Sequence, residues 1–145
     1  ETDSEICIYL AKELKANQVD FIGSLGGRID HTLANIGLMY YVKNMNIEPR
    51  ILNSEEEILI IKDEEITIKG EVGNTVSIIS IMGEAKGVTL KNFEYPLNIF
   101  ALTCTNFVFS SSFPFFCKNF GKKSYNLLAC TNVLILFSSF TAIAN

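Results

Sequence analysis

The chain has 145 residues, 48% of them apolar, a formal net charge of -4 and a single histidine. A chain of this length hides about 70% of its unfolded surface on folding, enough for one or two small cores. The acidic balance, with no stripe of Lys and Arg, argues against a nucleic-acid partner held through its phosphates.

Glu1 is not a methionine and "ETDSE" opens directly on a helix start, so the sequence is expected to be a fragment. Thr2 followed three residues later by Glu5 has the spacing of a capping box, which predicts a helix starting at Thr2 or Asp3 and reaching Ala16. Cys7, Leu10, Ala11 and Leu14 recur at three- and four-residue spacing and are expected to form its buried face. "VDFIGSL" predicts a short buried strand, "GGRID" a loop, and His31 to Asn44 a second helix with Leu33, Ile36, Gly37 and Tyr40 on one side. Helix, strand, Gly-rich loop and helix in that order predict an α/β layer with a mostly parallel sheet.

From residue 50 the apolar period changes to two. Glu56 to Lys62, Glu65 to Lys69, Thr75 to Met82 and Gly87 to Tyr95 are predicted strands, separated by turn-like segments. They predict a second, antiparallel β-sandwich-like domain starting near Ile51. Four strands are few for a closed core, so the missing partners are expected from the rest of the chain or from another subunit.

Composition shifts again near Leu97. All sixteen acidic residues precede residue 98, whereas nine of the eleven Phe and three of the four Cys follow it. Residues 95–117 and 124–145 are uncharged and each is long enough to span a bilayer, yet both are rich in Ser, Thr and Asn. A shifted reading frame, a buried β-rich module and a membrane hairpin compete here, and composition favours the first. The sequence therefore divides into residues 1–49, the end of an α/β domain; 50–97, an incomplete β domain; and 98–145, an atypical tail given no functional weight. Cys7, Cys104, Cys117 and Cys130 form no CxxC pair and meet no His at zinc spacing, so free thiols are expected.

Chemistry concentrates in "SLGGRIDHTLANI", Ser24 to Ile36. In an open α/β sheet ligands bind at the carboxyl ends of strands, where paired glycines let backbone N–H groups approach an anion at the next helix. Gly26 and Gly27 stand at that place. Arg28 adds a planar charged fork suited to phosphate oxygens, and Asp30 a carboxylate able to hold magnesium or orient a hydroxyl. The bland alternative is an internal Arg28–Asp30 salt bridge with Asp30 as a helix cap. Asp3 is either a second functional carboxylate or a first-turn acid favoured by the helix dipole. His31 is either a ligand or a solvated group at a helix start. Asn35, one turn on, can bond a substrate or bridge to a neighbouring element. Glu55, Glu56 and Glu57 read as a solvated turn.

Taken together, Thr2-Asp3, then Gly26-Gly27-Arg28-Ile29-Asp30-His31, then Gly87-Val88-Thr89-Leu90 and Tyr95-Pro96-Leu97 resemble the thiamine pyrophosphokinase (thiamine diphosphokinase) family. The resemblance runs from residue 1 to about 97. It implies transfer of a diphosphate from ATP to thiamine, releasing AMP, in a magnesium-dependent cytoplasmic homodimer with no nucleic acid or membrane partner. It further implies Asp3 and Asp30 as acids for magnesium and for orienting the attacking hydroxyl. Gly26, Gly27, Arg28 and His31 would then lie at the bound substrates, with Arg28 on the ATP phosphates. The family's G-D-x-D-S motif would lie before Glu1, and its S-N-E segment is not found in the stretch after Leu97. A nucleotide-binding module without turnover, and a membrane-associated protein held by residues 95–145, are the competing readings.

Overall fold

Thr2 caps the first helix in a computed structural model that describes residues 2–69, 74–80, 83–92, 97–102, 117–118, 124–129 and 133–138. Its hydroxyl accepts from the Glu5 N–H at 3.3 Å and its own N–H donates to Glu5 Oε2 at 2.7 Å, the predicted capping box. Helix α1 (Asp3–Glu13) nevertheless buries a different face from the expected one. Ile8 is 1% exposed, whereas Cys7 is exposed, Leu10 is 54% and Leu14 72% exposed. Residues 6–10 are five apolar residues in a row, so spacing offers several equivalent faces. The strand that follows selects Ile8: Val19 and Phe21 pack with Ile8, Val42 and Ile47.

That strand, β1 (Gln18–Ile22), is half-buried rather than buried, because Val19 and Phe21 face the helices while Gln18, Asp20 and Ile22 alternate to the exposed side. Helix α2 (Ile29–Lys43) starts two residues before the expected His31. Met39 and Val42 are its fully buried residues, whereas Leu33, on the expected face, is 63% exposed. Its end is tied down by Lys43 Nζ donating to Glu48 Oε2 at 2.6 Å.

Strand β2 (Glu48–Leu52) was not foreseen, since Pro49 and Arg50 interrupt any alternation. It lies parallel to β1, Gln18 opposite Glu48 and Ile22 opposite Leu52. Strand β3 (Glu56–Ile61) pairs antiparallel with β2, Ile51 opposite Ile58. Asn53 closes the hairpin, its Oδ1 accepting from the Glu55 and Glu56 N–H groups at 2.8 and 2.6 Å. The chain divides into two compact units at the end of β3, Glu1–Ile60 and Ile61–Asn145.

The second unit is antiparallel throughout its pairings among the described residues. Strands β4 (Glu64–Lys69), β5 (Thr75–Ile79) and β6 (Ala85–Lys91) occupy the predicted strand segments. The tail adds β7 (Leu97–Leu102), β8 (Cys117–Lys118), β9 (Ser124–Ala129) and β10 (Val133–Ser138). β9 lies between β4 and β6, β7 pairs the other edge of β6, and β5 pairs both β10 and β8. The strand partners expected from elsewhere thus come from the tail. Ile68, Val76, Ile78, Ala85, Val88, Leu90 and Leu134 are buried in this unit. The fold class is α/β followed by an antiparallel β-sandwich-like unit. No helix among the described residues is long and apolar enough to cross a membrane. Tyr95 and Pro96 of the quoted motif lie outside the described residues.

Candidate active site

The loop from Gly23 to Arg28 leaves the carboxyl end of β1 and runs into the first turn of α2. Three glycines set its path, with φ of +70° at Gly23, +91° at Gly26 and +71° at Gly27. A Cβ at Gly26 or Gly27 would meet nothing within 4 Å, so glycine is required there by dihedral angle rather than by crowding. The exposed side of the loop is open to a ligand.

Arg28 is the cap residue of α2, in an extended conformation, with no side-chain cap bond. Asp30 is therefore the second helical residue and not the cap. The Arg28 guanidinium reaches forward to it: Nε donates to Asp30 Oδ1 at 3.1 Å and Nη2 donates to Oδ2. Both side chains are mostly exposed, 70% and 57%. The guanidinium beside it holds the Asp30 carboxyl below its ordinary range, so Asp30 is ionised at neutral pH. This side-on pairing uses two of the five guanidinium N–H donors and one lone-pair site on each carboxylate oxygen. Three guanidinium donors are left over from this pairing, while backbone N–H groups at the head of α2 also bond the Asp30 carboxylate.

His31 is exposed in the first turn of α2, next to Asp30. Asp3 is exposed in the first turn of α1. α1 precedes β1 and α2 follows it in the chain. Among the described residues, Arg28 and Asp30 are the predicted site residues joined by direct side-chain bonds. No cluster of three or more His, Cys, Asp or Glu side chains able to hold a metal occurs among them.

Asn35 does not face outward for a substrate: its Nδ2 donates to the Ser24 carbonyl oxygen at 2.9 Å. The Ser24 hydroxyl itself is buried without a hydrogen-bond partner. A further polar group escaped the sequence reading, because Asp20 sat within an apolar run and Glu57 within an acidic one. Arg50 Nε and Nη2 donate to the two Asp20 oxygens at 3.0 and 2.9 Å, and Nη1 donates to Glu57 Oε1 at 3.4 Å. Gln18 Nε2 adds a bond to Asp20 at 2.8 Å. Parallel register places Asp20 opposite Arg50 on the sheet face away from the helices, a pairing that sequence distance hides. Of the expected solvated turn, only Glu55 and Glu56 lie at the hairpin, while Glu57 is engaged with Arg50.

Comparison with known proteins matches residues 1–51 to the catalytic domain of thiamin pyrophosphokinase and residues 60–111 to its vitamin B1 binding domain. A curated thiamine pyrophosphokinase from Bacillus subtilis is 32% identical over 99 residues, 68% of this chain and 46% of that protein. The chain thus spans about half the length of that relative. The crystal structure of thiamine pyrophosphokinase from Bacillus subtilis superposes with a TM-score of 0.81 at 25% identity, over 96% of this chain and 63% of the other. That from Geobacillus thermodenitrificans gives 0.77 at 22% identity, over 100% and 64%, a likeness of fold. The family match runs on to residue 111, past residue 97, where the sequence resemblance was expected to stop. With both of the family's domains matched in order over most of its residues, the chain belongs to the thiamin pyrophosphokinase family.

Proposed function

We propose that the protein carrying this sequence is a thiamine diphosphokinase, which transfers a diphosphate from ATP to the hydroxyl of thiamine and releases AMP. The observation that carries this reading is the Arg28–Asp30 pair on an open, doubly glycine-turned loop at the carboxyl end of β1, in a chain of this family. In such a transfer the thiamine hydroxyl oxygen bonds to the β-phosphorus of ATP, the bond from that phosphorus to the α,β-bridging oxygen breaks, and AMP leaves with those electrons. The protein's work is positioning and charge compensation. Gly26 and Gly27 turn the loop so that backbone N–H groups meet phosphate oxygens at the head of α2. Arg28 places its remaining donors on those oxygens while Asp30 fixes its plane. Asp30, held ionised, orients the attacking hydroxyl, and His31 borders the substrates.

Magnesium takes hard oxygen ligands, commonly one or two carboxylates together with substrate phosphates and water. Asp30 and Asp3, each an exposed carboxylate in the first turn of its helix, are the side chains of that chemistry. When bound, magnesium supplies charge neutralisation on the phosphates. The family resemblance supports a homodimer and a cytoplasmic setting for the protein.

The test is AMP and thiamine diphosphate formation from ATP, magnesium and thiamine. Product is expected only when all three are present. Nucleotide binding without product would overturn the reading in favour of a non-catalytic binding module.

A further inference from the structure

We propose that Asn35 is a positioning residue that holds the Ser24–Arg28 loop in the conformation presenting Arg28 to phosphate. This rests on the functional reading above for what the loop binds. Three positive-φ glycines between residues 23 and 27 give the segment access to many other backbone paths. Nothing packs against the Cβ directions of Gly23, Gly26 or Gly27, while Ser24 and Leu25 are partly buried. Among the described residues its other bonds cluster at the helix end: Thr32 N–H to the Arg28 carbonyl at 3.2 Å, Thr32 hydroxyl to the same oxygen at 3.4 Å, and the Arg28–Asp30 pair. At the strand end, the long-range hydrogen bond among the described residues is the Asn35 amide on the Ser24 carbonyl, spanning eleven residues of sequence in a partly buried place.

That tether fixes one end of the loop to the rigid interior of α2, while the Thr32 bonds fix the other. Removing it frees the glycine segment without unfolding the helix. A single neutral hydrogen bond shifts a local equilibrium by about two- to tenfold. Apparent affinity falls by the factor by which the competent population falls. KM for ATP is then expected to rise by no more than that fall in competent population, a smaller factor than the rise in the open form, with little change in kcat.

The experiment compares N35A, N35D and N35Q with the parent. Trypsin cleavage after Arg28, relative to cleavage after Lys15, reads loop opening without any ligand. In N35A the ratio is expected to rise about two- to tenfold. In N35D, where a carboxylate faces the carbonyl, it rises at least as much. N35Q keeps the donor and is expected to recover most of the loss. Unchanged ratios in N35A and N35D overturn the proposal, as does an equal rise at Lys15, which marks general loosening of the unit. N35Q cleaved as fast as N35A overturns the role of the amide donor. ATP titration and steady-state kinetics on the same proteins read the functional half: a parent that binds no ATP refutes the diphosphokinase reading, while the cleavage ratio still judges the tether.

Discussion

Arg28 and Asp30 form an ion pair so open to solvent that it adds little to stability. On the proposed function, Arg28 matters little for folding and much for holding phosphate. R28A is therefore expected to lower kcat/KM by about a hundredfold or more. Its melting temperature should fall by no more than about 4 °C, measured by calorimetry beside the kinetics. R28K should rescue poorly, since an ammonium cannot reproduce the planar fork. Asp20 behaves in the opposite way, as a structural charge. Arg50 holds its carboxyl below the ordinary range, so the pair stabilises the fold above about pH 4 and loses that contribution as pH falls through the lowered value. D20N should thus melt below the parent at pH 7, with the gap closing as thermal melts are repeated at successively lower pH below about 4. Residue types and their neighbourhood made Gly26, Gly27, Arg28 and Asp30 legible in the sequence. Asp20, Arg50 and Glu57 were not, because thirty residues separate the first two and only strand register joins them.

Local rules govern how the elements begin and say less about which way they face. The Thr2–Glu5 box was readable because both partners lie within one turn. T2A removes its hydroxyl acceptor and is expected to cost about 1 kcal/mol, seen as a lower urea midpoint with an unchanged slope. The buried faces of α1 and α2 were misread for a shared reason. Both helices are apolar on several sides, so the choice of Ile8, Met39 and Val42 fell to whatever β1 and its neighbours offered. Strand β2 escaped notice since Pro49 and Arg50 deny it a pattern, and it exists through parallel pairing to β1. Asn35 had two open roles by sequence, and its bond to Ser24 selects the bridging one.

The tail looked alien by composition, yet β9 lies between β4 and β6 and β10 pairs with β5. A chain ending at residue 97 loses every described pairing of β4 and β5 within the second unit. Open edges of that kind leave their backbone groups without protein partners. Such a truncation is expected to lose strand signal in the far-ultraviolet beyond the deleted residues and to bind a hydrophobic dye. Retention of a cooperative transition matching the intact second unit would count against a structural role for the tail.

Sequence by itself determined where the first helix starts, that a glycine-turned loop with an Arg and an Asp follows the first strand, and that an antiparallel β unit succeeds an α/β one. These depend on caps, dihedral preferences and periodicity, all acting within a few residues. Tertiary structure alone decided which helix faces are buried, that Asp20 meets Arg50, that Asn35 holds Ser24, and that the tail completes the β unit. Each of these is a contact between segments far apart in the chain, and its energy arises only when folding brings both partners together.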